Sequence, residues 1–372
     1  MNKTSNSYWA WAQVLVMLSF VLGACSCSDD SMEPTPPRGP SGWYWQNPLF
    51  GLNDLRAVCY TEANTGTIVG EGGMILRTTD GGATWESQKS GTTKELSGVS
   101  FTDAETGIAV GETGTILRTT NGGATWIGQA SGTSENLTDV TFTNAKTGTA
   151  VGSNGTILRT KDGGVTWRRQ IGGTNELLLG VSFTDKYTGT VVGYNGTILR
   201  TTNGGDTWES QTSGTGKTLF DVSFTDANAG TAVGWSGTIL RTTDGGAVWE
   251  SQTSGTSAPL WGVSFTDANT GTVVGGDGTI LRTTDGGASW EGQTSGTNEW
   301  LYDVSFANAQ TGTVVGNNNT ILRTTDGGTT WKSQAIGGHH ISLWGVVFTD
   351  ANTGTVVGDN GTILRTRTGG VE

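Results

Sequence analysis

Histidine is almost missing from this 372-residue chain, cysteine is scarce and positive charge is thin. The only histidines are the adjacent His339 and His340, and the cysteines are Cys25, Cys27 and Cys59. With no CxxC pair and no Cys/His cluster, neither a structural zinc nor a disulfide framework is expected. Basic residues number 21 against 33 acidic ones, a net charge of −12. Eight of the 21 are one arginine recurring along the chain: Arg77, Arg118, Arg159, Arg200, Arg241, Arg282, Arg323 and Arg365. Too few remain for the basic stripe that a phosphate backbone requires, so nucleic acid is not expected as a partner. No metal and no cofactor are expected either.

Glycine and tryptophan are abundant, at 61 and 15 residues. The glycines recur at fixed places, which makes them turn residues rather than a mark of disorder. The organising stretch is Thr283-Thr284-Asp285-Gly286-Gly287-Ala288-Ser289-Trp290, whose tryptophan returns at Trp85, Trp126, Trp167, Trp208, Trp249, Trp290 and Trp331 in constant steps. A period of about 20–50 residues marks units that cannot bury their own apolar face and must stack on neighbours.

Each unit reads as four short strands. In residues 260–296, Leu260–Phe265 is an inner strand and Asp267–Gly271 a turn by composition. Thr272–Gly275 is a second strand, Gly276-Asp277-Gly278 a tight connection and Thr279–Thr284 a β-branched third strand. Asp285-Gly286-Gly287 turns into the outer strand, Ala288–Gln293. Asn121 and Asn203 stand where other units carry aspartate, so the turn needs a hydrogen-bond acceptor and not a charge. That counts against a repeated metal site. Four strands per unit predict an all-β propeller blade.

The second-strand glycine counts the units: Gly66, Gly107, Gly148, Gly189, Gly230, Gly271, Gly312 and Gly354. Eight inner units meet only seven box tryptophans, because the eighth unit ends before its outer strand. Stepping back one period from Trp85 lands on Tyr44, within Trp43–Asn47. The expectation is an eight-bladed propeller closed by that N-terminal strand, which removes two open edges.

Ahead of the repeats, Lys3, an apolar run from Trp9 to Leu22 and Leu22-Gly23-Ala24-Cys25 read as a secretory leader. Its ending resembles a bacterial lipobox, with Cys25 as the lipidated residue. Residues 26–41 hold Asp29, Asp30, Glu33 and four prolines, an extended spacer between membrane and domain. The expected layout is thus a lipoprotein signal peptide (1–25), an acidic linker (26–41) and a propeller (42–372), on a bacterial cell envelope.

The box resembles the Asp-box, or BNR repeat, of sialidase-type propellers. The fuller unit is similar to the photosystem II stability/assembly factor-like propellers over about residues 42–372. This resemblance implies a propeller that assists assembly of a membrane protein complex. Sialidases grip a carboxylate with singular arginines; here one arginine recurs in every unit, which marks a scaffold role, with turn carboxylates such as Asp103 or Asp226 as its expected partners.

Comparing the eight units isolates two variable positions, one after the first-strand leucine and one after the Val-Gly that ends the second strand. Both belong to loops on one end of a propeller. They concentrate aromatics, and with Trp300 they give a candidate ligand-binding face of Tyr194, Phe220, Trp235, Trp261, Trp300, Tyr302 and Trp344. The expected partner is a protein or polysaccharide held by a monomeric, non-catalytic scaffold. The alternative is a glycoside hydrolase, for which Glu71 and Asp359 are the least implausible carboxylate pair. Tyr302 beside Asp303 is a faint sialidase-like candidate, and His339-His340 read as bystanders in an irregular connection.

Overall fold

The computed structural model describes residues 42–46, 53–334, 336 and 340–370. The leader, Cys25, the linker, Asn47 and His339 lie outside the described residues. The rest forms eight four-stranded antiparallel sheets, an eight-bladed propeller. Among the described residues no helix is long and apolar enough to cross a membrane.

Why each unit takes this shape is visible in its side chains. The inner strand ends in an aromatic ring that lies flat over the second-strand glycine: a Cβ on Gly107 would meet the Phe101 ring at 2.5 Å. Only glycine lets the ring settle there, which is why that glycine marks every blade. The box turn is closed by its own side chains. Asp285 Oδ1 accepts from Thr283 Oγ1 (2.8 Å) and the Ser289 N–H (2.9 Å), and Gly287 N–H donates to Thr283 Oγ1 at 2.8 Å. In the second blade the equivalent Gly123 has φ +86°, and a Cβ there would lie 1.9 Å from Gln88 Oε1 of the blade before.

That glutamine also fastens the seam between blades. Trp126 Nε1 donates to Gln88 Oε1 at 3.0 Å, and Trp249 and Trp331 donate in the same way to Gln211 and Gln293. The indole meets its own blade's phenylalanine edge-on, as in Phe101–Trp126 at 5.9 Å and 87°. It packs on Val69 and Ile75 of the preceding blade, so each anchor joins two sheets. Burying about 150–250 Å² per ring at about 25 cal/mol/Å² contributes roughly 4–6 kcal/mol as an upper bound.

The N-terminal strand Trp43–Trp45 pairs with Ile363–Thr366 and completes the eighth blade. This is the closure expected from the sequence, and its register picks out the anchor. Trp43, not Tyr44, stands opposite Thr366, the place the box tryptophan holds in other blades. Trp43 is 1% exposed, meets Phe348 at 6.1 Å and 88°, and donates from Nε1 to Gln334 at 2.6 Å. The eighth anchor therefore comes from the start of the chain. Counting in steps of the period missed it by one residue because the closure is made by pairing and not by continuous chain.

The recurring arginine is a scaffold residue whose close partners are mainly hydroxyls and turn carbonyls rather than the Asp103 or Asp226 carboxylates, although Arg159 comes within 3.9 Å of Asp206. Arg77 donates to Thr67 Oγ1 (2.7 Å) and to the Ala104 carbonyl of the next blade, and its guanidinium lies 4.6 Å over the Phe101 ring. Arg200, Arg282 and Arg323 repeat the pattern. The carboxylate of Asp103 is already taken by the N–H groups of Glu105 and Thr106. A planar fork suits a threonine hydroxyl and a turn carbonyl equally well.

Candidate binding face

The two variable positions meet for a local reason. In each blade the register slips after the opening leucine, for instance between Leu219 and Asp221, and the skipped residue is Phe220. In the same blade the second strand ends at Gly234, and Trp235 N–H donates back to Thr218 O at 2.8 Å. The turn is thereby tied to the start of the inner strand, and Phe220 and Trp235 meet at 6.2 Å. Arg56 with Glu71 and Trp344 with Asp359 make the corresponding contacts in the first and eighth blades.

Six of the seven candidate aromatics form one connected run across the fifth to eighth blades. Phe220 stacks on Trp261 at 4.3 Å, and Trp261 touches Trp235 (6.3 Å), Trp300 (5.8 Å) and Tyr302 (6.4 Å). Tyr302 then stacks on Trp344 at 4.6 Å. Tyr194, in the fourth blade, is half-buried and stands apart from this run. The members differ in exposure. Trp261, Tyr302 and Trp344 are buried as a floor, whereas Trp235 and Trp300 are 46% and 37% exposed. The Tyr302 phenol is pushed up to about 12, by burial first and by the Asp359 charge second.

The first two blades carry charge in the same positions. Arg56 faces Glu71 at 2.6 Å, Asp54 at 3.4 Å and Glu95 at 3.5 Å. Burial raises the Glu95 carboxyl, Arg56 pulls it down, and Glu71 and Glu112 raise it further. Both carboxylates of the hydrolase alternative are occupied. Glu71 holds Arg56, and Asp359 accepts from Trp344 Nε1 (2.5 Å) and the Ser342 N–H (3.2 Å).

One residue further along the inner strand lies a feature that sequence reasoning missed. Asp139 and Asp303 are buried on the third and seventh blades, and Asp221 is half-buried on the fifth. Asp221 accepts from Val222 N–H (2.7 Å) and, across the seam, Val263 N–H (3.0 Å). Asp303 does the same with Val304 (2.6 Å) and Val346 (2.7 Å). Asp139 takes only Val140 N–H, at 2.6 Å, and its Oδ2 is buried without a partner. Burial pushes all three up, to about 8 for Asp139, about 7 for Asp303 and about 6 for Asp221. Asp139 rises highest because one N–H rather than two stabilises its charged form. The signal was in the repeats: this position alternates Asp139, Gly180, Asp221, Gly262, Asp303, Gly345.

A separate groove of about 660 Å³ runs along the sixth blade, lined by Thr253, Ser254, Thr256, Gln293, Asn298 and Trp290 among others. The Trp290 Nε1 is buried without a partner, as are those of Trp85 and Trp208, whereas Trp126, Trp249 and Trp331 hold a glutamine. Among the described residues no group of three His, Cys, Asp or Glu side chains is placed to hold a metal ion.

A family model described as "Photosynthesis system II assembly factor YCF48" matches residues 44–130, 212–291 and 292–370, more than half of the chain. No curated protein matches the sequence. Solved structures with the same fold include YCF48 bound to D1 peptide, 19% identical over 90% of this chain and 97% of that one, with a TM-score of 0.64. YCF48 from Cyanidioschyzon merolae is 19% identical over 88% and 98%, at 0.60. Chaetomium thermophilum Sqt1 bound to the N-terminus of the ribosomal protein L10 is 14% identical over 87% and 98%, at 0.72.

Proposed function

The chain belongs to the family of the photosystem II assembly factor YCF48, and from that premise we propose a non-catalytic scaffold that holds a protein segment on its aromatic face. The observation that carries this is the pair Trp235 and Trp300, exposed above a stacked floor of Trp261, Tyr302 and Trp344. Exposed aromatics on a rigid base lose little entropy when a partner covers them. Two propellers of this shape have been solved with a peptide or a protein N-terminus bound, which supports a protein segment as the partner. In this reading Cys25 is lipidated and residues 26–41 tether the ring to a bacterial envelope membrane, with the propeller acting as a monomer in assembling a complex.

A polysaccharide is the second reading, favoured by the hydroxyl- and amide-lined groove beside Trp290. The hydrolase reading is not retained, since Glu71 and Asp359 are each committed to a neighbour.

The test is a pull-down from an envelope fraction and a glycan array, run on wild type and on Trp235→Ala/Trp300→Ala. Loss of one captured protein with an unchanged melt supports the face. Glycan binding that ignores this pair moves the assignment to the groove, and capture unaffected in both assays sinks the proposal. Turnover of any glycoside that disappears in Glu71→Gln restores the enzyme reading.

A further inference from the structure

We propose that the segment docked on the aromatic face is basic, its lysine or arginine side chains stacking on Trp235 and Trp300 and meeting an arc of carboxylates that runs from the seventh blade round to the second. This rests on the reading above that the face holds a protein segment, and it adds the charge which that segment carries.

Each blade shows this end of the ring two residues ahead of its inner-strand leucine and two after its second-strand Val-Gly. Together those positions hold nine acidic residues and two lysines, Lys94 and Lys217, and Arg56, just after the first leucine, is the one further base. The excess is concentrated. Glu299 and Asp359 stand beside the aromatic floor: the Tyr302 phenol is raised by burial first, and then by the charges of both. Asp54 accepts the Asn360 N–H across the ring closure at 3.1 Å, which carries the arc into the first blade. There Arg56 faces Asp54, Glu71 and Glu95 together. Burial raises the Glu95 carboxyl and Arg56 lowers it, but Glu71 and Glu112 raise it again, so one guanidinium does not balance the group.

This charge is open to a partner. The Glu71 side chain is 37% exposed and that of Asp54 26%, and Glu112, Glu299 and Asp359 are half-buried. The opposite end of the ring is acidic too, but its carboxylates close their own turns. Asp103 takes the N–H groups of Glu105 and Thr106, and Asp226 those of Asn228 and Ala229. Both exposed tryptophans among the described residues, Trp235 and Trp300, lie on the variable end.

Aromatic rings and unspent carboxylates on one surface select a cation. An indole face attracts an ammonium through its ring quadrupole, and a guanidinium plane also stacks on it. Carboxylates nearby steer the same charge towards the face and repel an acidic segment. A membrane surface rich in anionic lipid is repelled as well, so the charge favours a peptide over a bilayer.

The experiment is calorimetric titration of the full chain with capped peptides of one length that alternate leucine with lysine, serine or glutamate. The lysine peptide should bind at least about tenfold tighter than the serine peptide, and the glutamate peptide should give no saturable heat. Raising the salt from about 0.05 to about 0.5 M should weaken the lysine peptide alone, by about tenfold or more. Trp235→Ala/Trp300→Ala should weaken it by at least about tenfold. Glu112→Gln/Glu299→Gln should weaken it by at least about threefold and spare the serine peptide, with an unchanged melt. Absent lysine-peptide binding, equal binding of the serine or glutamate peptide, or lysine-peptide binding that either double variant leaves intact overturns the proposal. So do phosphatidylglycerol vesicles that bind the wild type and not the tryptophan variant, which would mark a membrane surface. Should a variant melt early, the salt dependence and the lysine-to-serine ratio of the wild type decide. The envelope pull-down with the same tryptophan pair reads the face whatever its partner's charge, so failure of the basic assignment is distinct from failure of the face.

Discussion

At the outer edge of the ring Asp285 stands in an open turn, its carboxylate taken by Thr283, the Ser289 N–H and the Ser289 hydroxyl at 2.6 Å. Those donors hold it down to about 2. At the inner wall Asp139 has one N–H and no solvent, and burial pushes it up to about 8. The same residue type thus works as a permanently charged turn closer at the rim and as a neutral group at the axis. What separates the two is the number of donors aimed at each and the access to water. The rim position is duplicated round the ring and even tolerates asparagine. Aspartate takes the axial position in three blades only, and in two ways: Asp221 and Asp303 clamp the next blade, and Asp139 does not.

The widest effects concern anchoring. Trp43→Ala should cost about 3–5 kcal/mol, as a buried aromatic removed from a seam, while Tyr44→Ala should cost under about 1 kcal/mol. Chemical denaturation measures both, and a reversed order would mean the closing strand sits one residue out of register. On the variable face, Trp261→Ala should destabilise by about 3 kcal/mol, because Trp261 is 7% exposed and stacked on Phe220. Trp235→Ala should stay within about 0.5 kcal/mol.

The pH series tests the two aspartates directly. A carboxyl raised in the folded state contributes stability that is fully present below its ordinary 3.8 and lost as pH rises through about 8. Asp139→Asn should therefore flatten the decline between pH 4 and 8 and be more stable than wild type at pH 8.5 by about 2 kcal/mol or more. For Asp285, held low, the sign is opposite: its contribution is present above pH 4 and lost as pH falls through about 2. Asp285→Asn should leave the neutral melt nearly unchanged and fall less steeply than wild type as pH drops from 4 to 2. An unaltered slope in both variants would dissolve the contrast.

The smallest effect concerns the turn after the second strand. Thr113 is held at φ 57°, where a β-branched residue is strained. Thr113→Gly should stabilise the second blade by about 0.5–1 kcal/mol, read as a small rise in the melt.

Much of the fold was legible because a repeat is a comparison of the chain with itself. The box tryptophan, the second-strand glycine and the missing outer strand led to eight blades and to the closing segment. The aromatic positions were legible for the same reason, as departures from a common frame. Their division into floor and protruding rings was not, since Trp261 and Trp235 look alike in sequence and differ only in what stacks on them. The arginine was read correctly as scaffold and given the wrong partners. The Asp103 carboxylate had already been claimed by its own turn, a contest between local and distant donors that spacing does not display.

The sequence by itself determined the blade, its number and the end of the ring where variation gathers, because turn chemistry and apolar alternation act over a few residues. Only the tertiary structure decided that Trp43 rather than Tyr44 is the eighth anchor. It also decided that one axial aspartate is left with an unpartnered oxygen. Both depend on which groups from distant parts of the chain reach each other once the ring is shut.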